Sequence, residues 1–269
     1  MLVIGERINA SNRSVGEAIA RKDSELVANL AKAQAEAGAD YIDVNAGASK
    51  GSGHSEMDAI EWLVEVVQTA TDKPLAIDSE SPDVIEAALR KYRGEKVMIN
   101  SVTAEKSRLD SIGPLAARHQ ARLVALSMGE DGIPDTAEKR LAACEIIMTH
   151  LIKLGMPAEH VFFDPLVLPI SVDPSQGLVT LKTLEQIKSR YPAAKTVMGL
   201  SNISFGLPER KLINRNFLVM AAYAGLDAAI LDPLDAKMMS LTRVADMLTG
   251  KDPMCRGYLR AHRSGRIVG

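Results

Sequence analysis

The 269-residue sequence predicts an α/β protein built as a single (β/α)8 TIM barrel. Three observations carry this reading: short apolar runs recur along the chain, helical patterns lie between them, and no linker divides the series. Strands alternating with helices imply parallel strands joined by helical crossovers, and eight such units in roughly 250 residues suit a closed barrel. The competing open doubly wound sheet would usually place a glycine-rich turn after its first strand. Here that turn reads G-E-R-I-N-A from Gly5, and no G-x-G-x-x-G occurs.

The eight expected strands are Leu2 to Ile4, Tyr41 to Val44, Leu75 to Ile77, Val97 to Ile99, Leu123 to Leu126, Val161 to Phe163, Thr196 to Met198 and Ala228 to Leu231. Helical signals lie between them. Ser55 can cap a helix with Asp58 at its third position, and Ile60, Leu63, Val64 and Val67 then recur at helical spacing. Ser81 followed by Pro82 is a second start, with Ile85, Ala88 and Leu89 on one face. Asp135 or Thr136 opens the longest helix, with Leu141, Cys144, Met148, Leu151 and Ile152 as its apolar stripe and Gly155 as a left-handed stop. Asn214 and Asp235 are expected to open the last two, the second running toward Gly250 with Met238, Leu241, Ala245 and Leu248 on its apolar side. The barrel is expected over 1–250. Residues 251–269 form a basic tail in which Lys251, Arg256, Arg260, Arg263 and Arg266 face only Asp252. Such a tail is usually solvated; the other reading is that it docks an acidic partner or packs across a subunit interface.

Composition removes several function classes. A net charge of −2 supplies no global field for nucleic acid or an anionic membrane. The N-terminal apolar run is interrupted at Glu6, and no stretch approaches the roughly 18 apolar residues of a membrane helix, so a cytoplasmic protein without a membrane span is expected. Cys144 and Cys255 are far apart and lack C-x-x-C spacing, while His54, His119, His150, His160 and His262 include no i, i+4 pair. No protein-bound metal is expected.

A barrel of this kind builds its active site at the C-terminal ends of its strands. Those ends are polar here: Glu6, Arg7 and Asn9 follow the first run, and Asp43 and Asn45 belong to the second. Asp78 and Ser79 follow the third and Asn100 and Ser101 the fourth, with Asp164, Asn202 and Asp232 at the sixth, seventh and eighth. Any one of them has an ordinary explanation as a helix cap or, at Asp164-Pro165 and Asp232-Pro233, as a turn residue. Together they describe a mouth lined with carboxylates and amides, a surface for a ligand rich in hydrogen-bond donors. A pterin has that character. A sugar does too, and Asp78 with Asp164 could form a glycosidase pair, but aromatic residues are only 4% and offer few stacking platforms.

The seventh end is the most distinctive, reading M-G-L-S-N-I-S-F-G-L-P-E-R from Met198 to Arg210. The Asn202 amide can donate and accept, so it can follow a nitrogen whose hydrogen-bonding demand changes during a reaction. The stretch Gly47 to Ser55 is Gly/Ser-rich but lacks the Gly-Lys-Ser/Thr of a phosphate loop, and is read as a mobile loop that could reach substrate.

Eight stretches, in order, carry a resemblance: G-E-R-I-N (Gly5 to Asn9), D-V-N-A-G (Asp43 to Gly47), E-W-L-V-E-V-V (Glu61 to Val67), I-D-S (Ile77 to Ser79), M-I-N-S (Met98 to Ser101), F-D-P-L (Phe163 to Leu166), G-L-S-N-I-S (Gly199 to Ser204) and L-I-N-R-N-F (Leu212 to Phe217). With them the chain resembles the methyltetrahydrofolate:corrinoid methyltransferases of the pterin-binding barrel family, those of methylotrophic and acetogenic one-carbon metabolism above all. The resemblance implies transfer of a methyl group between N5 of tetrahydrofolate and the cobalt of a corrinoid. It places pterin anchors on Asp78, Asn100 and Asp164, the amide beside N5 on Asn202 and a loop arginine on Arg210. Glu6, Gly199 and Ser201 complete the expected substrate-binding set, and Asn202 and Asp78 are the expected catalytic residues, Asp78 organising a water network that delivers the proton. Tetrahydrofolate or 5-methyltetrahydrofolate is then substrate. No D-x-H-x-x-G signature of a cobalamin module occurs, so the corrinoid is expected on a separate partner protein. The family's habit implies a homodimer. A non-catalytic folate-binding protein is the competing reading, and dihydropteroate synthase a more distant one because its phosphate-binding signatures are not evident.

Overall fold

The structure is a computed structural model that describes residues 1–47 and 55–269. Its strands are β1 (Leu2–Asn9), β2 (Tyr41–Asn45), β3 (Leu75–Asp78), β4 (Val97–Val102), β5 (Arg122–Leu126), β6 (Val161–Asp164), β7 (Lys195–Gly199) and β8 (Ala228–Leu231). They close in sequence order, every neighbouring pair parallel, with β1 hydrogen-bonded to β8. The helices between them are α1 (Arg13–Ala20), α2 (Ser24–Ala37), α3 (Glu56–Ala70), α4 (Pro82–Lys91), α5 (Lys106–Arg118), α6 (Ala137–Lys153), α7 (Gln176–Arg190) and α8 (Arg210–Tyr223). After β8 come α9 (Ala236–Leu248) and α10 (Arg256–Arg263). Each expected apolar run is a strand. Residues 48–54, most of the Gly/Ser-rich loop, lie outside the described residues.

Helix starts follow the local chemistry where a side chain can reach a free N–H. Ser55 and Asp58 make the reciprocal capping box of α3, Ser81 accepts from Val84 N–H ahead of Pro82, and Thr136 caps α6. Asp235 caps α9 by accepting from Met238 N–H. At the end of α6, Gly155 takes φ +74° while its N–H bonds Ile152 O and that of Met156 bonds Leu151 O, the paired bonds of a Schellman stop.

Three expectations need correction. Asn214 does not open α8; the helix starts a turn earlier at Arg210, after Glu209 turns the chain at φ +51°. Ile152 and Leu248 do not join the core: they are 60% and 68% exposed, because Arg140, Ala143, Ile147 and Met239 occupy the inward positions of α6 and α9. β1 also runs past Ile4 to Asn9, through a register shift between Gly5 and Ile8 that lets Ile8 pair with Val44.

The strands alternate between two cores. Outward residues such as Ile42, Val44, Leu75, Ile77, Ile99 and Phe163 pack against the helices. Inward residues Ile4, Tyr41, Ala76, Met98, Val124, Phe162, Val197 and Ala228 fill the barrel. Arg122, at the start of β5, lies over the rings of Tyr41 and Phe162 at 5.4 and 5.7 Å. The basic tail is partly ordered as α10, which packs on α9, and Val268 N–H bonds Ser240 Oγ at 2.8 Å. Among the described residues no helix is long and apolar enough to cross a membrane.

Candidate active site

Side chains two residues apart on a strand share a face, so the next inward layer above the barrel core can be read from the register. On β1 it is Glu6, on β2 Asp43, on β3 Asp78, on β4 Asn100, on β6 Asp164 and on β7 Gly199. Asp78 pairs in register with Asn100. Only β5 and β8 put apolar residues, Leu126 and Ile230, at this level. The sequence thus ends a hydrophobic plug with a polar ring.

Half of the ring is tied together. Asn45 Nδ2 donates to Asp78 Oδ2 at 2.8 Å, Asn100 Nδ2 approaches Asp43 Oδ1 at 3.4 Å, and Ser79 Oγ donates to Glu56 Oε1 at 2.8 Å. Asp43 is only 2% exposed; burial, and then the neighbouring charge of Asp78, push its carboxyl well above the usual range. Burial also raises Asp78, against the lowering effect of the Asn45 hydrogen bond. Burial and then Asp232 raise Glu6, opposed by a long 3.5 Å hydrogen bond from Ser201 and by Arg7 and Arg210.

Asp164 is held differently. Its Oδ1 accepts the N–H of Leu166 at 2.8 Å, and its carboxylate is also bonded by the N–H of Gly199. Burial nevertheless outweighs both and pushes its pKa up to about 7. Asp232 does the same turn work, accepting from Leu234 N–H at 3.0 Å while Arg7 stands 3.4 Å away. Behind Asp164, the fully buried Arg140 donates to Pro134 O at 2.9 Å, to Pro165 O and Leu166 O at 2.8 Å each, and to Gln176 Oε1 at 2.7 Å. One guanidinium therefore fixes the turn that aims Asp164.

Above Gly199 the chain makes a tight turn over Leu200–Ser204. Leu200 and Ile203 anchor it in the core and leave Asn202 exposed toward the mouth. A Cβ on Gly199 would stand 3.3 Å from Asn202 Nδ2, so glycine makes room for that amide. Asn202 makes no side-chain hydrogen bond to a described residue. Arg210 braces the turn from the start of α8, its Nη2 donating to Ser201 O at 2.8 Å and its Nε to Ser204 Oγ at 3.1 Å. A cavity of about 620 Å³ opens beside this turn, lined by Glu6, Ser201, Arg210, Asn214 and Asp232 among others. Among the described residues no group of three or more His, Cys, Asp or Glu is arranged to hold a metal.

The family model described as pterin binding enzyme matches residues 5–232, which takes in every residue of this ring and turn. The chain belongs to the pterin-binding enzyme family. It is 37% identical to a methylcorrinoid:tetrahydrofolate methyltransferase of Eubacterium limosum, over 99% of this chain and 98% of that protein. It is 31% identical to a methionine synthase of Mycobacterium leprae over 91% of this chain, a match that spans 21% of the synthase. Among solved structures, a dihydropteroate synthase of Coxiella burnetii in complex with pteroic acid superposes with a TM-score of 0.72 at 16% identity, covering 93% of this chain and 94% of that one. One from Xanthomonas albilineans gives 0.68 at 18%, with 94% of each chain covered. At such identities these structures show the pterin-binding barrel fold alone.

The structure brings all the sequence-derived candidates to one mouth: Glu6, Asp78, Asn100, Asp164 and Gly199 in the ring, and Ser201, Asn202 and Arg210 in the turn above it. Sequence reasoning counted Asp43 among the polar strand ends but left it out of the substrate-binding set, although Tyr41 and Asp43 share a parity and Tyr41 faces the barrel interior. It also missed Arg140, whose role depends on carbonyls 25 and 26 residues away in sequence.

Proposed function

We propose that this protein is a methyltransferase that moves a methyl group between N5 of tetrahydrofolate and the cobalt of a corrinoid carried by a separate protein. The observation that carries the reading is the ring of acceptors, Asp78, Asn100 and Asp164, with an uncommitted amide, Asn202, poised beside it. The names of its relatives, a methylcorrinoid:tetrahydrofolate methyltransferase and a methionine synthase, support the same substrates.

The pterin's exocyclic amine and ring N–H are donors, and Asp164 and Asp78 accept them once ionised. Asn100 reads the neighbouring edge with an amide that can donate and accept. Such a ligand offsets the cost of burying these acids, because each N–H contact favours the charged form. Glu6, Ser201 and Arg210 hold the Asn202 turn at the open side, the side from which a corrinoid would approach.

During demethylation of the folate, N5 must leave with its electron pair, and it leaves poorly unless hydrogen bonded or protonated. The Asn202 amide strengthens its contact with N5 as charge develops, which lowers the barrier more than it tightens ground-state binding. Asn202 does not itself supply a proton; Asp78, linked to Asn45 and raised by burial, organises the water that does. The corrinoid supplies a nucleophilic cobalt in this direction and a methyl donor in the reverse one.

We further infer a homodimer. A band of exposed apolar side chains, Leu178, Leu212, Met220, Tyr223 and Leu248, runs over α7, α8 and α9 and lines two apolar hollows of about 440 and 410 Å³ that share Met220. The cytoplasm is the expected compartment, since Cys144 and Cys255 are both free thiols.

The test mixes purified protein with 5-methyltetrahydrofolate and cob(I)alamin, then tetrahydrofolate with methylcobalamin, and follows the cobalt absorbance. Transfer in either mixture is expected, and Asn202→Ala is expected to lower the rate by about 100-fold with folate affinity little changed. Equal losses of rate and affinity in that variant would favour a protein that only holds folate, and absence of both binding and transfer would reject the assignment.

A further inference from the structure

The basic tail finds a structural setting that methyl transfer does not use. Arg243 from α9, Arg260 from α10 and Arg266 beyond it converge on one cavity of about 360 Å³, away from the barrel mouth. Its floor is Ala37, Met239 and Ala261, and Gly38 and Gly257 expose backbone at its wall. No ion pair or side-chain hydrogen bond joins any of the three guanidiniums to another described residue.

A bland account would have these arginines neutralise the C-terminal end of α2, which reaches the cavity at Ala37 and Gly38. Two of its terminal carbonyls are taken by the chain itself, Ala35 O by Gly38 N–H and Gln34 O by Ala39 N–H, and none of the three guanidiniums donates to the helix end. A second account would pair them with Asp252, whose carboxylate feels the charges of Arg243 and Arg260. Its two carboxylate oxygens are instead taken by the N–H groups of Gly257 and Tyr258, at 2.8 and 2.9 Å. Three guanidiniums against one committed carboxylate leave the cavity with a positive excess. Like charges brought together around a concavity repel unless an anion joins them, and guanidinium forks match carboxylate and phosphate oxygens in pairs.

We propose that this cavity is a binding site for a small, multiply charged anion, a phosphate- or carboxylate-bearing molecule whose apolar part rests on Met239 and Ala261. The cavity falls in the volume range of small-molecule pockets and is closed on one side by α10, which suits a compact ligand better than an extended surface. Arg243 and Arg260 grip the charged end from two helices, and Arg266 closes over it from the tail. Such a ligand would fasten α10 to α9 and α2.

The experiment is calorimetric titration of the full chain with pyrophosphate and, separately, with citrate, at constant ionic strength. One saturable site per chain for either probe is expected, the tighter one distinguishing a phosphate from a carboxylate ligand. Arg260→Gln should weaken binding by about tenfold or more, and Arg243→Gln with Arg260→Gln together should abolish it. Arg13→Gln, which removes an exposed ion pair with Glu17 on α1, should leave it unchanged. Thermal melting of each variant reports folding, and Arg266→Gln, near the chain end, is the alternative probe should the double variant melt early. Absence of saturable binding for both anions, or equal binding by the folded double or Arg266 variant, would overturn the proposal.

Discussion

The pH dependence of folate binding follows from Asp164. In the free chain burial holds this carboxyl at a pKa of about 7, against hydrogen bonds from the N–H groups of Leu166 and Gly199. If pterin N–H groups bond its carboxylate form, ligand selects the ionised site and must displace the proton. Apparent affinity then scales with the ionised fraction, and Asp164 alone makes binding roughly 90-fold weaker at pH 5 than at pH 8, about 2.7 kcal/mol. Around neutrality binding should release about half a proton from this group, rising toward one near pH 6. Titration calorimetry with tetrahydrofolate in two buffers of different ionisation heat measures both quantities. Asp43, Asp78 and Glu6 are raised as well and can add to the slope, so the comparison that isolates Asp164 is Asp164→Asn. That variant should lose the release attributed to it near pH 7. An unchanged slope and unchanged proton release in the variant would refute the argument, because the pterin would then not be selecting the charged form of Asp164.

Asp43→Asn removes an acid whose folded pKa lies well above its unfolded value. Such a group costs stability progressively as pH rises through and above the usual carboxylate range, so the variant should gain on wild type as pH is raised from acid toward neutrality in urea denaturation. No gain, or a gain confined to acid, would contradict the burial assignment. Arg140→Met leaves Pro134 O, Pro165 O and Gln176 Oε1 without the guanidinium, Leu166 O keeping the Thr180 hydroxyl, and should cost roughly 3 kcal/mol in the same assay while weakening folate binding through the Asp164 turn. A loss below about 1 kcal/mol would mean water replaces the guanidinium. Leu212→Glu with Met220→Glu should shift the sedimentation of a dimer to that of a monomer; an unchanged dimer would place the interface elsewhere.

The barrel was legible because its strands announce themselves twice. Tyr41 to Val44 or Val161 to Phe163 are short, apolar and bounded, and their number and alternation with helices leave few topologies. The candidate mouth was legible because strand ends are fixed in such a barrel, so the placement of Asp78, Asn100 and Asp164 in one ring could be read by position before any contact was known. What escaped was set by geometry rather than composition. α8 starts at Arg210 because Glu209 adopts a left-handed conformation, which its residue type does not announce. Arg140 looked like one polar position on an amphipathic helix, yet it is fully buried, because its partners are carbonyls of a turn that only the folded barrel brings within reach. Asp43 was legible as a polar strand end but not as a member of the ligand-facing ring, because its inward direction follows from the parity of Tyr41, which only the barrel interior reveals.

These omissions bear on the chemistry. A ring of carboxyls with raised pKa values is a site that is most stable when protonated and most useful when ionised, and it can reconcile the two only if ligand and proton exchange for one another. Asp43 matters here although it is too buried to need contact with the pterin: its proximity raises the cost of ionising the pair it forms with Asp78, and Asn100 and Asn45 partly offset that cost. Arg140 matters because its hydrogen bonds go to three carbonyls and the Gln176 side chain and not to Asp164, aiming that carboxylate while its charge lowers the acid only weakly beside burial. Had the guanidinium paired directly with Asp164, the acid would be charged at every physiological pH and would have less to gain from a pterin N–H. Indirect support keeps the acceptor unpaired, so that, on the proposed reading, a pterin N–H has the most to gain from it.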